Sequence, residues 1–482
     1  MARGLGGRWG AGVVGQPTHA LRPDVLQPGE LAPGVHLEEY SQRRRSVAAL
    51  MGKGEVALLA SAPEVFVAGI IPYNYRQDAD MLYATGISQK GFLAMIESMS
   101  DRGESEHRFT VVVPDHSPSE EAWDGPTMPA HVAEDLFGAD VAMSMSQGLP
   151  HVARTAASAS LLFWEPSVVL ASAAVQRTLE AAFSERGTQH RRRPVSLRRL
   201  THRVRWRKSP AEQALMRESA QIASSAIREC IQASHPGIPE AHLAARFEYA
   251  TKLRGAQRVS FPPVVGAGVD GTIVHYIKNH KRVQGGQLVL MDAGCELHGY
   301  CSDVSRTWPA SGRFSAAQRD LYDVVLETYK SCRDMCIPGV TRLDIEQRSK
   351  EMLCRGLSEL GVVPGKPSPE SLLHSQAFRD YYPHGVGHLL GLDVHECDHV
   401  SAHAPLEPGV ILTVEPGLYI PDDPSYGAFR GTGIRIEDDV LVRGGGEAPE
   451  VLSQGCPIEA EEIEQLASEA TDLGHDWSRL RN

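Results

Sequence analysis

Four short apolar runs, EVALLASA, EVFVAGI, RFTVVVPD and ASLLFWEP, punctuate residues 40–185, each bounded by polar or turn-forming residues. Short runs of this composition predict strands. Between them lie polar stretches such as EEYSQRRRSVAALMG, which predict helices. Strands alternating with helices imply a small α/β domain.

The pattern changes after residue 208. Ser209-Pro210-Ala211-Glu212 predicts a helix start, with Ser209 as the cap, Pro210 at the first helical position and Glu212 completing a capping box. Leu215, Ile222, Ala226 and Ile231 share one face of that helix, which ends before His235-Pro236-Gly237. Further helices are predicted over about 240–254, 315–336 and 341–360, the last two separated by Pro338-Gly339. The remaining segments, QLVLMDAG, YCSDVSRTW, LDVHE, VILTVEPGLYI and GIRIEDDVLV, are strand-rich. The second domain is therefore expected to be α+β, a mostly antiparallel sheet with helices outside it.

At 482 residues and 42% hydrophobic content, the chain can bury two or three cores. Its net charge of -12 argues against a nucleic-acid partner. One basic run, HRRRPVSLRRLTHRVRWRKSP, carries nine Lys or Arg and reads as a solvated linker or a rim for an acidic partner, marking the domain boundary. The eight cysteines contain no C-x-x-C pair, which suggests free thiols in a reducing compartment; Cys332 and Cys336 read as packing residues on a helix. No apolar run is long enough to span a membrane. The opening MARGLGGRWGAGVVG has Arg3 and Arg8 and no acid precedes Asp24, as in a presequence remnant or an unstructured terminus. The end, from about 457, is acidic and helix-prone.

Gly266-x-Gly268-x-x-Gly271, followed by Asp292, matches the spacing of a dinucleotide-binding loop. Such a loop must open a helix, whereas TIVHYI follows here, with the composition of a strand. The loop is instead expected to deliver His275.

The acids are more informative. Asp292 ends the apolar run Leu288-Val289-Leu290-Met291, and a hairpin turning at Glu296 to Gly299 would set Asp303 beside it. Glu415 and Glu437 are likewise embedded in apolar, strand-like sequence. Buried carboxylates need a cation. These four, with His388, form a mostly oxygen ligand set that suits hard divalent cations such as Mn²⁺ and carries charge enough for two. PHGVGHLLGLDVHE adds His384 and His395; its glycines favour a turn feeding a strand over a zinc-binding helix, with one histidine a ligand and the others facing substrate.

The segments IVHY, MDAGCELHGYCSDVSRTW, HGVGHLLGLDVHE, VEPGLY and GIRIEDD resemble, in order, the aminopeptidase P and prolidase family of pita-bread fold, over about 205–455. YNYRQDADMLYATG resembles the creatinase-like N-terminal domain of aminopeptidase P, and GQPTHALRPDVLQPGELAPGVHLEEYSQRR resembles the mitochondrial branch of Xaa-Pro aminopeptidases and intermediate cleaving peptidases. The resemblance implies an N-terminal extension (1–35), a creatinase-like α/β domain (36–189), a basic linker (190–208), a pita-bread catalytic domain (209–456) and an acidic tail (457–482). It also implies a metal site for two divalent ions on Asp292, Asp303, His388, Glu415 and Glu437, with Asp303 and Glu437 bridging. His275 and His395 match histidines that position the peptide and stabilise the tetrahedral intermediate, and His384 matches a third active-site histidine. Arg435 matches an arginine that orients the ligands, and Glu415 matches the proton shuttle. Phe261 departs from the pattern, standing where relatives often have tyrosine.

The implied activity is release of one N-terminal residue from peptides or proteins, either before proline or from processed mitochondrial proteins. The implied setting is a mitochondrial homo-oligomer, a dimer, with cytoplasm or plastid as alternatives. A prolidase-type dipeptidase would need groups gripping the substrate carboxylate, which the sequence does not reveal. A non-catalytic peptide-binding relative would lack the ligands present here, and methionine aminopeptidases lack such an N-terminal domain.

Overall fold

The computed structural model describes residues 15–165, 176–178, 180–181 and 194–469. The chain divides into two compact units, Met1–Arg205 and Trp206–Asn482.

The first unit is built on a five-stranded mixed sheet. Its order is Val141–Ser144, His107–Val113, Leu93–Ser98, Val56–Ala60, Leu162–Phe163, with antiparallel central pairs and a parallel strand at each edge. Ala57 and Leu59 enter one hydrophobic cluster while Val56, Leu58 and Ala60 enter another. Burial of both faces is why VALLA is continuously apolar rather than alternating. EVFVAGI behaves differently. It contributes to a hairpin, Phe66–Ala68 with Ile71–Pro72, that carries exposed Phe66, Val67, Ile70 and Ile71.

Two expectations for this unit need correction. The 1–35 extension is anchored to the fold at several points: the Gln16 amide donates to Gly86 O and accepts from Ser88 N, and Leu26 and Val35 are buried. Residues 1–14, the candidate presequence remnant, lie outside the described residues. The 190–208 run is not a solvated linker where it is described. Arg198–Arg205 is a helix, Leu197 and Leu200 enter the core, and Arg205 donates to Asp80 at 2.5 Å with both side chains buried. Apolar residues interleaved with the basic ones, and an acid 125 positions away, draw this segment into the fold.

In the second unit the predicted helices form as Pro210–Ala233, Glu240–Leu253, Ala316–Asp334 and Arg342–Glu359. Capping boxes start three of them, at Ser209/Glu212, Ser315/Gln318 and Thr341/Asp344. The expected antiparallel sheet is divided, among the described residues, into four small antiparallel sheets. Val264–Ala267, Leu288–Ala293 and Val304–Pro309 make one, and Ile411–Val414, Asp438–Leu441 and Glu450–Val451 another. Gly417–Tyr419 pairs with Gly433–Arg435. Arg258–Val259, Cys295–Leu297 and Tyr300–Cys301 complete the set. The bridges Ser305↔Glu437 and Leu389↔Leu412 tie further segments together.

TIVHYI is not a strand. Gly268–Thr272 is a 3-10 turn and the chain continues irregularly past His275. No α-helix follows the glycines, so the structure also rejects the dinucleotide reading. A Cβ on Gly266 would meet the Asp270 and Gly271 backbone at 2.8 Å, and one on Gly433 would meet Gly271 O at 2.0 Å. These glycines let backbones touch. LDVHE is not a strand either: residues 391–395 form bends, held by hydrogen bonds within 391–396. The acidic tail begins as a helix, Ala460–Ser468, whose Ala460, Ile463 and Leu466 are buried; residues 470–482 lie outside the described residues.

Candidate metal centre

Short strands set the acids side by side. Asp292 is opposite Ser305, and the next pair in register, Ala293↔Val304, leaves Asp303 immediately beyond it. Glu437 occupies the gap between the strands Gly433–Arg435 and Asp438–Leu441, and Glu415 the gap between Ile411–Val414 and Gly417–Tyr419. His388 arrives on the glycine-rich segment. A Cβ on Gly387 would strike Thr413 O at 2.0 Å, so this backbone lies directly against the Ile411–Val414 strand, with His388 N donating to Thr413 Oγ1 at 3.0 Å.

The side chains converge. Ligand atoms of Asp303, His388 and Glu437 lie within 4.8 Å of one another. His388 Nε2 is 3.5 Å from Asp303 Oδ2 and 3.6 Å from Glu415 Oε1. Its Nδ1 faces Leu389 O at 3.2 Å, which leaves Nε2 as the nitrogen that could hold a cation. Asp292 Oδ1 and Asp303 Oδ1 are buried without a hydrogen-bond partner. Orphaned anionic oxygens in a dry site are what a cation satisfies, and the donor set of carboxylates and one imidazole fits a hard divalent ion.

The electrostatics agree. Burial first, then Asp292, Glu415 and Asp439, raise the Asp303 carboxyl well above the usual range; burial, then Asp303, Glu415 and Asp292, do the same to Glu437. Burial also raises Glu415. Asp439, itself buried, accepts from Asp303 N at 3.2 Å and steadies its backbone.

Arg435 supports the acids from below. It donates through Nη2 to Asp292 Oδ2 at 2.5 Å, through Nε to Ser305 Oγ at 2.9 Å and through Nη1 to the Tyr419 hydroxyl at 2.7 Å. Ser305 Oγ in turn donates to Glu437 Oε2 at 2.6 Å. Since Tyr419 accepts from Arg435, its own proton goes to His384 Nε2 at 2.7 Å, and His384 Nδ1–H is left to donate to Gly385 O at 2.8 Å. Burial, then Arg435, push His384 down to about 4, so its imidazole is neutral near pH 7. His384 Nδ1 is also 3.7 Å from Glu415 Oε2.

His395 stacks on His388 with ring centroids 4.0 Å apart and its imidazole exposed at the rim. Desolvation by its surroundings, then His388 and His275, lower its pKa. His275, exposed in its turn, acts electrostatically on both His384 and His395. Direct contacts thus join eight of the nine residues singled out in the sequence, and His275 is near enough to act electrostatically on two of them. Tyr419, Ser305 and Thr413 were missed. Tyr419 lies four positions after Glu415 in a quoted strand, but its role depends on Arg435, 16 residues on.

The chain matches two family profiles, Metallopeptidase family M24 over residues 214–444 and the aminopeptidase P N-terminal domain over 40–163. Fold and site together therefore define a metallopeptidase. The chain is 39% identical to the mitochondrial intermediate cleaving peptidase 55 of Arabidopsis thaliana, covering 94% of this chain and 87% of the relative. It is 35% identical to the mouse Xaa-Pro aminopeptidase 3, covering 94% and 90%. Among solved structures, Escherichia coli aminopeptidase P with the inhibitor Pro-Leu is similar at a TM-score of 0.82 and 30% identity, covering 90% of this chain and 99% of that one. The chain belongs to metallopeptidase family M24, with the two-domain aminopeptidase P fold, and is a metal-dependent aminopeptidase that releases N-terminal residues.

Proposed function

We propose that this aminopeptidase holds two divalent cations, Mn²⁺ foremost, on Asp292, Asp303, His388, Glu415 and Glu437, and trims single residues from the N-termini of mitochondrial proteins. The observation that carries the site is the buried acid cluster with its orphaned Asp292 and Asp303 oxygens. Bound there, the cations supply Lewis acidity, which acidifies water and polarises a peptide carbonyl. The chain's own groups do the rest. Glu415, raised by burial and facing both His388 and His384, takes up and returns the proton that hydrolysis moves. His395 and His275 donate hydrogen bonds to the peptide and to the developing oxyanion. His384, neutral and fixed in one tautomer between Tyr419 and Gly385 O, lines the site beside Glu415 without adding charge.

Trimming is supported by the relative named intermediate cleaving peptidase 55, mitochondrial, which matches along 94% of this chain. The name Xaa-Pro aminopeptidase 3, borne by the mouse relative, supports a second, proline-directed reading. Self-association as a dimer is supported by the hairpin at residues 65–73, which exposes Val65, Phe66, Val67, Ile70, Ile71 and Tyr73 together.

The test compares metal-stripped and Mn²⁺-loaded protein on peptides beginning Tyr-Ser or Leu-Ser and on matched Xaa-Pro peptides, with product masses and bound metal measured. Two ions per chain and loss of one residue from the first set are expected. Cleavage of the Xaa-Pro set alone would select the proline-directed reading, and a protein that binds no metal would overturn the site.

A further inference from the structure

The basic run and the His395 segment meet inside the second unit. Lys208 Nζ donates to Glu396 Oε2, and both side chains are 1% exposed. The other carboxylate oxygen, Oε1, accepts from Leu392 N at 3.1 Å, so Glu396 closes the loop that bears His395. The backbone completes the closure. Glu396 N donates to Leu389 O at 2.9 Å and Gly391 N to Asp393 O at 3.1 Å, while Gly391 O accepts from Cys301 N at 2.8 Å. A Cβ on Gly391 would sit 2.3 Å from Glu396 Oε2, so that carboxylate fills the loop's interior. Lys208 is anchored at its own end, donating N–H to Gly409 O at 2.7 Å and accepting from Gln213 Nε2 at 2.9 Å.

We infer that Lys208 and Glu396 are positioning residues for the reaction: their buried ion pair sets the 389–396 loop so that His395 stands stacked on His388 and faces the substrate. The inference rests on the role of His395 proposed above. His395 is exposed, and its ring contact is the stack on His388, so its placement is inherited from the backbone on which it sits. A buried ion pair adds little net stability over a packed apolar pair, but it specifies one arrangement. Lys208 and Glu396 are 188 residues apart, and neither is among the groups assigned to metal or substrate.

The test measures kcat, KM, bound metal and thermal unfolding for metal-loaded H395A, E396Q, K208M/E396M and E396Q/H395A. The apolar pair K208M/E396M keeps side-chain volume without a buried charge, at the loss of the acceptor for Leu392 N, and its thermal unfolding shows that it is folded independently of E396Q. Both E396Q and K208M/E396M are expected to lose about tenfold to hundredfold in kcat, as a misplaced catalytic group does, with metal content retained. In the H395A background, E396Q is expected to cost less than about twofold more, because its effect passes through His395. Full additivity in E396Q/H395A, or a wild-type kcat in both K208M/E396M and E396Q while H395A is impaired, overturns the positioning role alone. A wild-type kcat in H395A would remove His395 from the reaction and overturn both readings.

Discussion

Replacing Glu437 by Gln asks whether the buried acids are a standing electrostatic load that a cation offsets. Ligand atoms of Glu437 and Asp303 lie within 4.8 Å. Two unit charges at that separation repel by about 3 kcal/mol at an effective dielectric constant of ~20, and the further repulsion from Glu415 and Asp292 is set against the attraction of Arg435, 3.9 Å from Glu437. Taking up a proton instead costs about 1.4 kcal/mol for each pH unit above the ordinary glutamate value of about 4.3, which is of similar size at pH 7. Either way metal-free protein carries about 3 kcal/mol that Gln would remove. The lost charge weakens the hydrogen bond from Ser305 Oγ, at about 1 kcal/mol. The net gain is about 2 kcal/mol, or about 5 °C in melting temperature.

The sign with pH follows from the raised carboxyl. Its contribution is fully present below about pH 4 and is lost as pH rises through the folded value. Thermal unfolding of metal-stripped wild type and E437Q at pH 7.5 and pH 4.5 should show the variant more stable at the higher pH and the two nearly equal at the lower. With Mn²⁺ added the order should reverse, because the variant has lost a ligand. An E437Q protein that melts below wild type in chelator at pH 7.5, or a gap that ignores pH, would refute the reasoning.

Arg435→Lys keeps the charge but breaks the fork joining Asp292, Ser305 and Tyr419; metal affinity by calorimetry should fall about 10- to 100-fold with secondary structure intact. Tyr419→Phe leaves Arg435 Nη1 and His384 Nε2 without their partner, so kcat should drop about tenfold or more while bound metal is retained. All eight cysteines are buried thiols, and burial raises those of Cys230, Cys332, Cys336, Cys354 and Cys456, among others. A thiol reagent should therefore find almost none in native protein and all eight after denaturation.

What the sequence revealed was local. Ser209 with Glu212 is a complete physical statement about one helix end, and an acid within an apolar run is costly enough that its presence signals a cation. What it concealed depended on distant partners. Arg205 and Lys208 read as solvated because Asp80 and Glu396 are far away in the chain. TIVHYI misled for a different reason: its β-branched residues are not burying a strand, since Ile273 is exposed in the turn and Ile277 just beyond it. The glycines before it satisfied a spacing rule, but their use was to let the backbone at Gly271 touch that at Gly433.

Charge balance bears on how many ions the site takes. Asp292, Asp303, Glu415 and Glu437 bring four negative charges, and Arg435 is the cation bonded among them. His384 offers no help, since burial and Arg435 hold it to about 4 and keep it neutral at working pH. His388 must also be neutral at Nε2 to act as a ligand. Ionised, these four acids with Arg435 are three charges short, and buried Asp439 beside Asp303 deepens the deficit. One divalent ion would leave the cluster negative, a sign that opposes an attacking oxygen and the oxyanion it creates, whereas the proposed pair would offset it.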